Sequence, residues 1–193
     1  FESEFVLLDP KRGNAPVDSL WYCSARAFDQ HAGVLDAMCA AIEGMGIAIE
    51  QFHPECAHGQ YEIVTTHFPA LEAVDKLLLT RAAIAGVAHA HGLLAAFVPK
   101  RTDGQPGNGS HCHFSLAGLG DDGGKNLFLE TVVDGVDTPQ FNPHVEGFLA
   151  GVLRAMSGIV PFTASSPNSF RRLIPSHWSG CFTCWGVDNR EAP

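Results

Sequence analysis

Glu55 and Glu62 stand seven residues apart in the stretch His53-Pro54-Glu55-Cys56-Ala57-His58-Gly59-Gln60-Tyr61-Glu62. Pro54 and Gly59 both disfavour a helix interior, so the stretch reads as a loop entering a strand. Seven is odd, and one straight strand would send the two carboxylates to opposite faces. A bend or bulge at Gly59 returns them to one side. Taken alone, the stretch suits two solvated glutamates near a turn equally well. A second pair, Glu2 and Glu4, interrupts the apolar segment Phe1 to Leu8. Residues i and i+2 of a strand share a face. Two glutamates side by side on an otherwise apolar strand imply a face that is wet or binds a cation.

Four carboxylates converging with His111 on one cavity would repel strongly. Each pair at about 4 Å costs on the order of 4 kcal/mol at an effective dielectric near 20. Such a cluster needs protons or divalent cations. Carboxylate-rich ligation suits Mg²⁺ or Mn²⁺ better than a thiolate-type zinc site, and one His tilts it toward Mn²⁺. Two adjacent ions can hold a polyphosphate and screen its charge. His111-Cys112-His113 is an H-x-H that fits a pair of core or surface histidines as well as a dinuclear metal hydrolase. The loop Asp103-Gly104-Gln105-Pro106-Gly107-Asn108-Gly109 reads first as a flexible hairpin. It is not a P-loop, because G-x-x-x-x-G-K-[ST] is absent. Arg171, Arg172 and Arg190 can clamp carboxylate or phosphate bidentately, although each alone reads as a surface charge.

The elements that must position these groups follow from periodicity. Phe1 to Leu8 suits a strand, residues 9–18 a loop, and Leu20 to Ala27 an extended segment. Asp29 is the expected cap of a helix to Glu43, with Val34, Leu35, Met38, Ala41 and Ile42 inward. Ile47 to Ile49 opens a strand, and Tyr61 to Thr65 continues as another. Pro69 to His91 is the strongest helix, with Leu71, Val74, Leu78, Ala82 and Ala85 as its apolar face. Leu93 to Val98 reads as a buried strand. Ser110 to Leu116 reads as a strand that places His111, His113 and Ser115 on one face. Asn142 and Pro143 open a helix burying Phe148, Leu149, Val152, Leu153 and Met156. Residues 165–173 are irregular, and Cys181 to Val187 is a last strand. Intermixed helices and strands predict a sheet covered by helices.

The 193 residues suffice for one substantial domain, and a net charge of −9 without a basic run argues against nucleic acid. No apolar run reads as long enough to span a membrane. Six cysteines lack framework spacing, and Cys181-x-x-Cys184 reads as strand interior before zinc or redox chemistry. A reducing, cytoplasmic compartment is expected. The start at Phe1 and the end on Glu191-Ala192-Pro193 read as a fragment of a longer protein.

The motifs in order are Phe1-Glu2-Ser3-Glu4; His53-Pro54-Glu55 with Gly59-Gln60-Tyr61-Glu62; Phe97-Val98-Pro99-Lys100; Gly107-Asn108-Gly109-Ser110-His111-Cys112-His113-Phe114-Ser115; Asn168-Ser169-Phe170-Arg171-Arg172-Leu173; and Asn189-Arg190. This order resembles the catalytic domain of the glutamine synthetase family, closest to its glutamine synthetase-like, FluG-type branch. The resemblance implies an α+β fold, a mostly antiparallel, saddle-shaped sheet backed by helices, with residues 1–193 as a partial catalytic domain. It implies ATP and two Mg²⁺ or Mn²⁺ ions. Glu4, Glu55 and Glu62 match the ligands of one ion; Glu2 and His111 match those of the other, whose remaining Glu would lie beyond Pro193. Glu50, His113 and Ser115 match ATP contacts. Gly107, Arg172 and Arg190 match contacts to glutamate and the transferred phosphoryl group.

Two departures bear on the substrate. Pro106 stands where the family has an Asn before Gly107. Trp178 stands where ammonia-using members place a Glu that holds ammonium. Trp is neutral and donates only through its indole N–H. The expectation is therefore an ATP-dependent γ-glutamyl ligase using glutamate and an amine other than ammonia. Its parent would be a large homo-oligomeric ring, with sites completed by a neighbour's N-terminal domain and with this fragment inactive alone. The alternatives are an inactive scaffold of the same fold and a dinuclear metallohydrolase built on H-x-H.

Overall fold

The computed structural model describes residues 1–120, 123–128, 143–177 and 179–186. The chain divides into two compact units: Phe1–Cys112 with Asn168–Ser179, and His113–Pro167 with Gly180–Pro193.

The first unit is built on strand β1, Glu2–Asp9. Every pairing of β1 is antiparallel. Along one edge lie β4 (Gln60–Thr65) and then β2 (Ala15–Pro16). Along the other lie β6 (Ser110–His111) and then β5 (Leu94–Ala96). Strand β3 (Ile49–Pro54) pairs with β4 on its far side. The result is an open antiparallel sheet in an α+β unit, as the resemblance implied.

Two helices cover one face of this sheet. Helix α1 spans Ala25–Gly44, with Ser24 at its N-cap, and helix α2 spans Ala70–Ala90. Phe5 and Leu7 of β1, Tyr61 and Ile63 of β4, and Val34, Leu35, Met38 and Ile42 of α1 form the core with Ile84 and Ala88 of α2. The expected inward face of α1 is thus confirmed, but the helix starts before Asp29. Residues 20–27 are not extended throughout, because Ala25 already belongs to the helix.

The expected face of α2 is corrected. Leu71 and Leu78 are 79% and 63% exposed, whereas Thr80, Ile84 and Ala88 are buried. Apolar residues occur around the whole helix, so periodicity alone does not choose the buried side. Three strands are also shorter or absent. The expected buried strand from Leu93 to Val98 covers only Leu94–Ala96, and Leu94 and Val98 are exposed. The strand after Gly109 stops at His111, and residues 180–186 carry no regular structure.

In the second unit, helix α3 spans Pro143–Thr163. Phe148 packs against Phe114 and Phe128, with ring centroids 6.0 and 5.5 Å apart. Phe148, Leu149, Val152, Leu153 and Met156 are only half-buried, and the buried residue is Val145. The expected cap Asn142 lies outside the described residues. This helix also corrects the membrane expectation. Its 21 residues and mean hydropathy of 1.3 are long and apolar enough to cross a bilayer by length and composition. Val, Leu, Ile, Phe and Ala produce that value, with Glu146 and Arg154 within the same helix. The short helix α4, Pro167–Phe170, follows it.

Candidate functional site

The site begins with strand alternation. In β1, Phe5 and Leu7 enter the core, so Glu2 and Glu4 face the other way. In β4, Tyr61 and Ile63 enter the core, so Gln60 and Glu62 face with the glutamates. The ladder register sets Glu62 opposite Glu4 on one side and His53 on the other. Glu2 lies opposite His111. Five chemically capable side chains therefore share the sheet face away from the helices.

Glu55 joins them through a turn. Strand β3 ends at Pro54, residues 55–59 reverse the chain, and β4 starts at Gln60. The Glu55 N–H donates to the Gln60 carbonyl at 2.7 Å, which closes the hairpin. Gly59 does not bulge a strand. It holds φ +64°, and a Cβ there would lie 2.9 Å from the Leu7 carbonyl and 3.1 Å from the Val17 nitrogen. Only glycine meets both conditions at no cost.

His53 Nδ1 lies 3.5 Å from Glu55 Oε1, and its Nε2 lies 3.5 Å from Glu62 Oε1. His111 Nδ1 lies 2.7 Å from Glu2 Oε2, and its Nε2 lies 3.9 Å from Glu4 Oε1. Two groups of ligand atoms lie within 4.8 Å of one another: Glu2, Glu62 and His111; and His53, Glu55 and Glu62. Glu62 belongs to both. This grouping differs from the one the resemblance implies, which gave Glu62 to a single ion and did not include His53. Glu4 stands beside both groups, its Oε2 accepting from Gln60 Nε2 and the Gly109 N–H, each at 2.8 Å.

The charges are out of balance. Burial, then repulsion from Glu2, Glu4 and Glu55, pushes the Glu62 carboxyl up to about 8. Burial, then Glu4, raises Glu55 as well. The hydrogen bond to Glu2 leads in raising His111, against burial and the positive charge of Arg172. A buried set of oxygen donors that holds protons this tightly fits a hard divalent cation, which would displace those protons. The residues present therefore fit one or two hard divalent cations.

Arg172 closes one side of the site. A Cβ at Gly109 would lie 2.6 Å from Glu4 Oε1, 2.8 Å from Arg172 Nη2 and 2.9 Å from His111 Nε2. Glycine is what allows this loop so close. The Arg172 Nε is buried without a hydrogen-bond partner. Arg171 points elsewhere, pairing with Asp103 at the surface. A Cβ at Gly107 would collide with the Pro99 carbonyl and press on Arg172 Cγ at 3.0 Å.

Sequence reading missed the residues that hold this loop. Buried Asn108 donates to the Ala96 and Val98 carbonyls, both at 3.0 Å. Asn168 accepts from the Lys100 N–H at 2.7 Å and donates to the Lys100 carbonyl at 2.8 Å. The Lys100 ammonium is buried and donates to the Gln105 carbonyl, and that burial lowers its proton affinity. Gln60 and His53 had a signal: Gln60 precedes Glu62, and His53 precedes Glu55, by two residues. The others had none, since their role depends on distant backbone.

Glu50 is not gathered here: it is exposed, the extra residue of a bulge between Ile49 and Gln51. His113 and Ser115 are exposed in the second unit and do not extend β6. Trp178 and Arg190 lie outside the described residues.

Known proteins resemble this chain over most of its length. A model of the glutamine synthetase catalytic domain family matches residues 1–193. Type-1 glutamine synthetase 1 of Dictyostelium discoideum is 32% identical over all of this chain, which covers 39% of it. Gamma-glutamylpolyamine synthetase GlnA3 of Streptomyces coelicolor is 37% identical over 80% of this chain and 32% of its own length. A solved structure described as a GmaS/ADP complex superposes with a TM-score of 0.79 at 25% identity, over 99% of this chain and 46% of that one. The chain thus spans about a third to two fifths of the length of these two curated relatives. On the full-length match and the Dictyostelium identity, the chain belongs to the glutamine synthetase catalytic domain family.

Proposed function

We propose that the protein to which this chain belongs is an ATP-dependent ligase joining the γ-carboxylate of glutamate to an amine. The observation that carries this reading is the convergence of Glu2, Glu4, Glu55, Glu62, His53 and His111 on one sheet face, beside Arg172, within a family-wide match. A scaffold without catalysis has no use for so much buried like charge.

Divalent Mg²⁺ or Mn²⁺ held by these residues would screen the ATP phosphates and polarise the γ-carboxylate. The chain's own groups do the rest. We assign Gly107 to the glutamate contact. Arg172 offsets the charge that develops as γ-glutamyl phosphate forms, and we assign Arg190 the same task. Glu50, His113 and Ser115 are assigned to ATP. The amine then attacks and phosphate leaves. Fixed positive groups aimed at developing charge are the largest single contribution such a site can make.

Trp178 in place of a glutamate favours an organic amine over ammonia. The 37% identity to a protein named gamma-glutamylpolyamine synthetase supports the same choice. We assign the active assembly to a homo-oligomeric ring in the cytoplasm, and α3, which the family match covers, to the catalytic domain and not to a membrane.

Glu55→Ala in the full-length protein is expected to abolish metal-dependent ADP release. Unchanged release at saturating Mg²⁺ would sink the assignment. A panel of amines, read by phosphate release with glutamate and ATP present, then identifies the nucleophile.

A further inference from the structure

Gln60 sits where three parts of the site meet, and its amide cannot serve all of them at once. The residue is 2% exposed. Its Oε1 accepts the Ala57 N–H at 2.8 Å, which fixes the orientation of the amide. Its Nε2 then faces three acceptors: Glu4 Oε2 at 2.8 Å, Asn108 Oδ1 at 3.0 Å and the Gly107 carbonyl at 3.1 Å. An amide NH₂ has two hydrogens. Asn108 cannot turn away, because its own NH₂ is committed to Ala96 and Val98.

Which acceptors win depends on charge. A bare Glu4 carboxylate makes the strongest, charge-assisted bond and draws the amide toward β1. Once a cation draws electron density from Glu4, that carboxylate is a weaker acceptor. The two hydrogens then favour Asn108 and Gly107. We propose that Gln60 is a positioning residue that transmits cation binding at the Glu4 face to the Gly107–Gly109 loop. The proposal rests on the ligase reading for its purpose: the loop is ordered for glutamate only after metal has arrived. By linkage, glutamate must then raise metal affinity by the same factor.

Hydrogen exchange on the full-length protein tests this, comparing the peptide spanning residues 103–108, which holds none of the proposed metal ligands, with and without Mn²⁺. In the wild type, Mn²⁺ is expected to slow exchange in this peptide by about fivefold or more, the lower range of ordinary site-to-site coupling. In Gln60→Met, which fills the space but donates nothing, Mn²⁺ still binds by calorimetry but the slowing is lost. Gln60→Asn, shorter by one methylene, serves as the second variant if Gln60→Met does not fold, and is expected to lose the slowing too. Equal slowing in wild type and variant overturns the proposal, as does no slowing in the wild type. A merely structural role would loosen the peptide with and without Mn²⁺ alike and leave their ratio unchanged, which also overturns it. Absent ADP release with intact slowing would remove the ligase reading and leave the coupling standing.

Discussion

Glu4 and Glu62 stand directly opposite each other in the β1–β4 ladder, both buried, with His111 3.9 Å from Glu4 and His53 3.5 Å from Glu62. Like charges facing each other across a ladder are destabilising. The fold tolerates this pair because the opposite sheet face carries the core.

Stability should fall as pH rises in metal-free protein. Glu62 is raised from 4.5 to about 8, so the folded state holds a proton that the unfolded chain has lost. Its stabilising contribution is complete below about 4.5 and disappears as pH climbs to about 8. A fall in Tm on the order of 5 °C is expected across this window. Mn²⁺ should abolish the fall, and Glu62→Gln should flatten it without metal. A Tm rising with pH over the same range would contradict the charge imbalance.

His111→Ala should weaken Mn²⁺ binding by more than the ~10–100-fold that loss of an outer-shell partner costs. Calorimetry on the folded variant reads this directly. His53→Ala provides a comparison: a similar loss would place His53 among the ligands, as its distances to Glu55 and Glu62 suggest.

Gly109→Ala should remove metal binding and destabilise the protein together. Its Cβ would enter the space between Glu4, Arg172 and His111. Overpacking of this kind costs about 1–3 kcal/mol. Chemical denaturation and Mn²⁺ titration on the same sample give both numbers, and an unchanged metal affinity would show that the loop can retreat.

Arg172→Lys should lower kcat by roughly 10²-fold, the scale of losing one preorganised donor at developing charge. The KM for ATP should move little. Lysine keeps the charge but not the planar fork. A variant with near wild-type kcat would move the phosphoryl contact to another residue.

Trp178→Glu should raise ammonia-dependent turnover relative to the preferred amine. Phosphate release with the two nucleophiles in parallel gives the ratio. An unchanged ratio would detach nucleophile choice from this position.

Much of the site was readable because strand alternation is a two-residue rule. Glu2 with Glu4, and Gln60 with Glu62, follow from it once Phe5 and Tyr61 are given to the core. The buried face of α1 was readable too, since its apolar residues form one stripe. Helix α2 was not, because Leu71 and Leu78 are as apolar as Ile84, and only the neighbouring sheet and α1 decide which side is covered. His111 and His113 share a face only in an extended strand, and the strand ends between them. Lys100, Asn108 and Asn168 stand in the motifs that carry the resemblance, but their part in holding the loop was silent in sequence, since each acts on backbone that folding alone brings near.

Because β1 pairs along both of its edges, its frame is fixed from two directions at once. Deleting one residue between Glu2 and Phe5 would turn an acid into the oily side and a phenyl ring onto the wet one. An insertion and deletion scan should find this strand nearly closed to change in length, whatever its composition tolerates. Its single-residue reading frame sets which side of the sheet every one of its side chains meets.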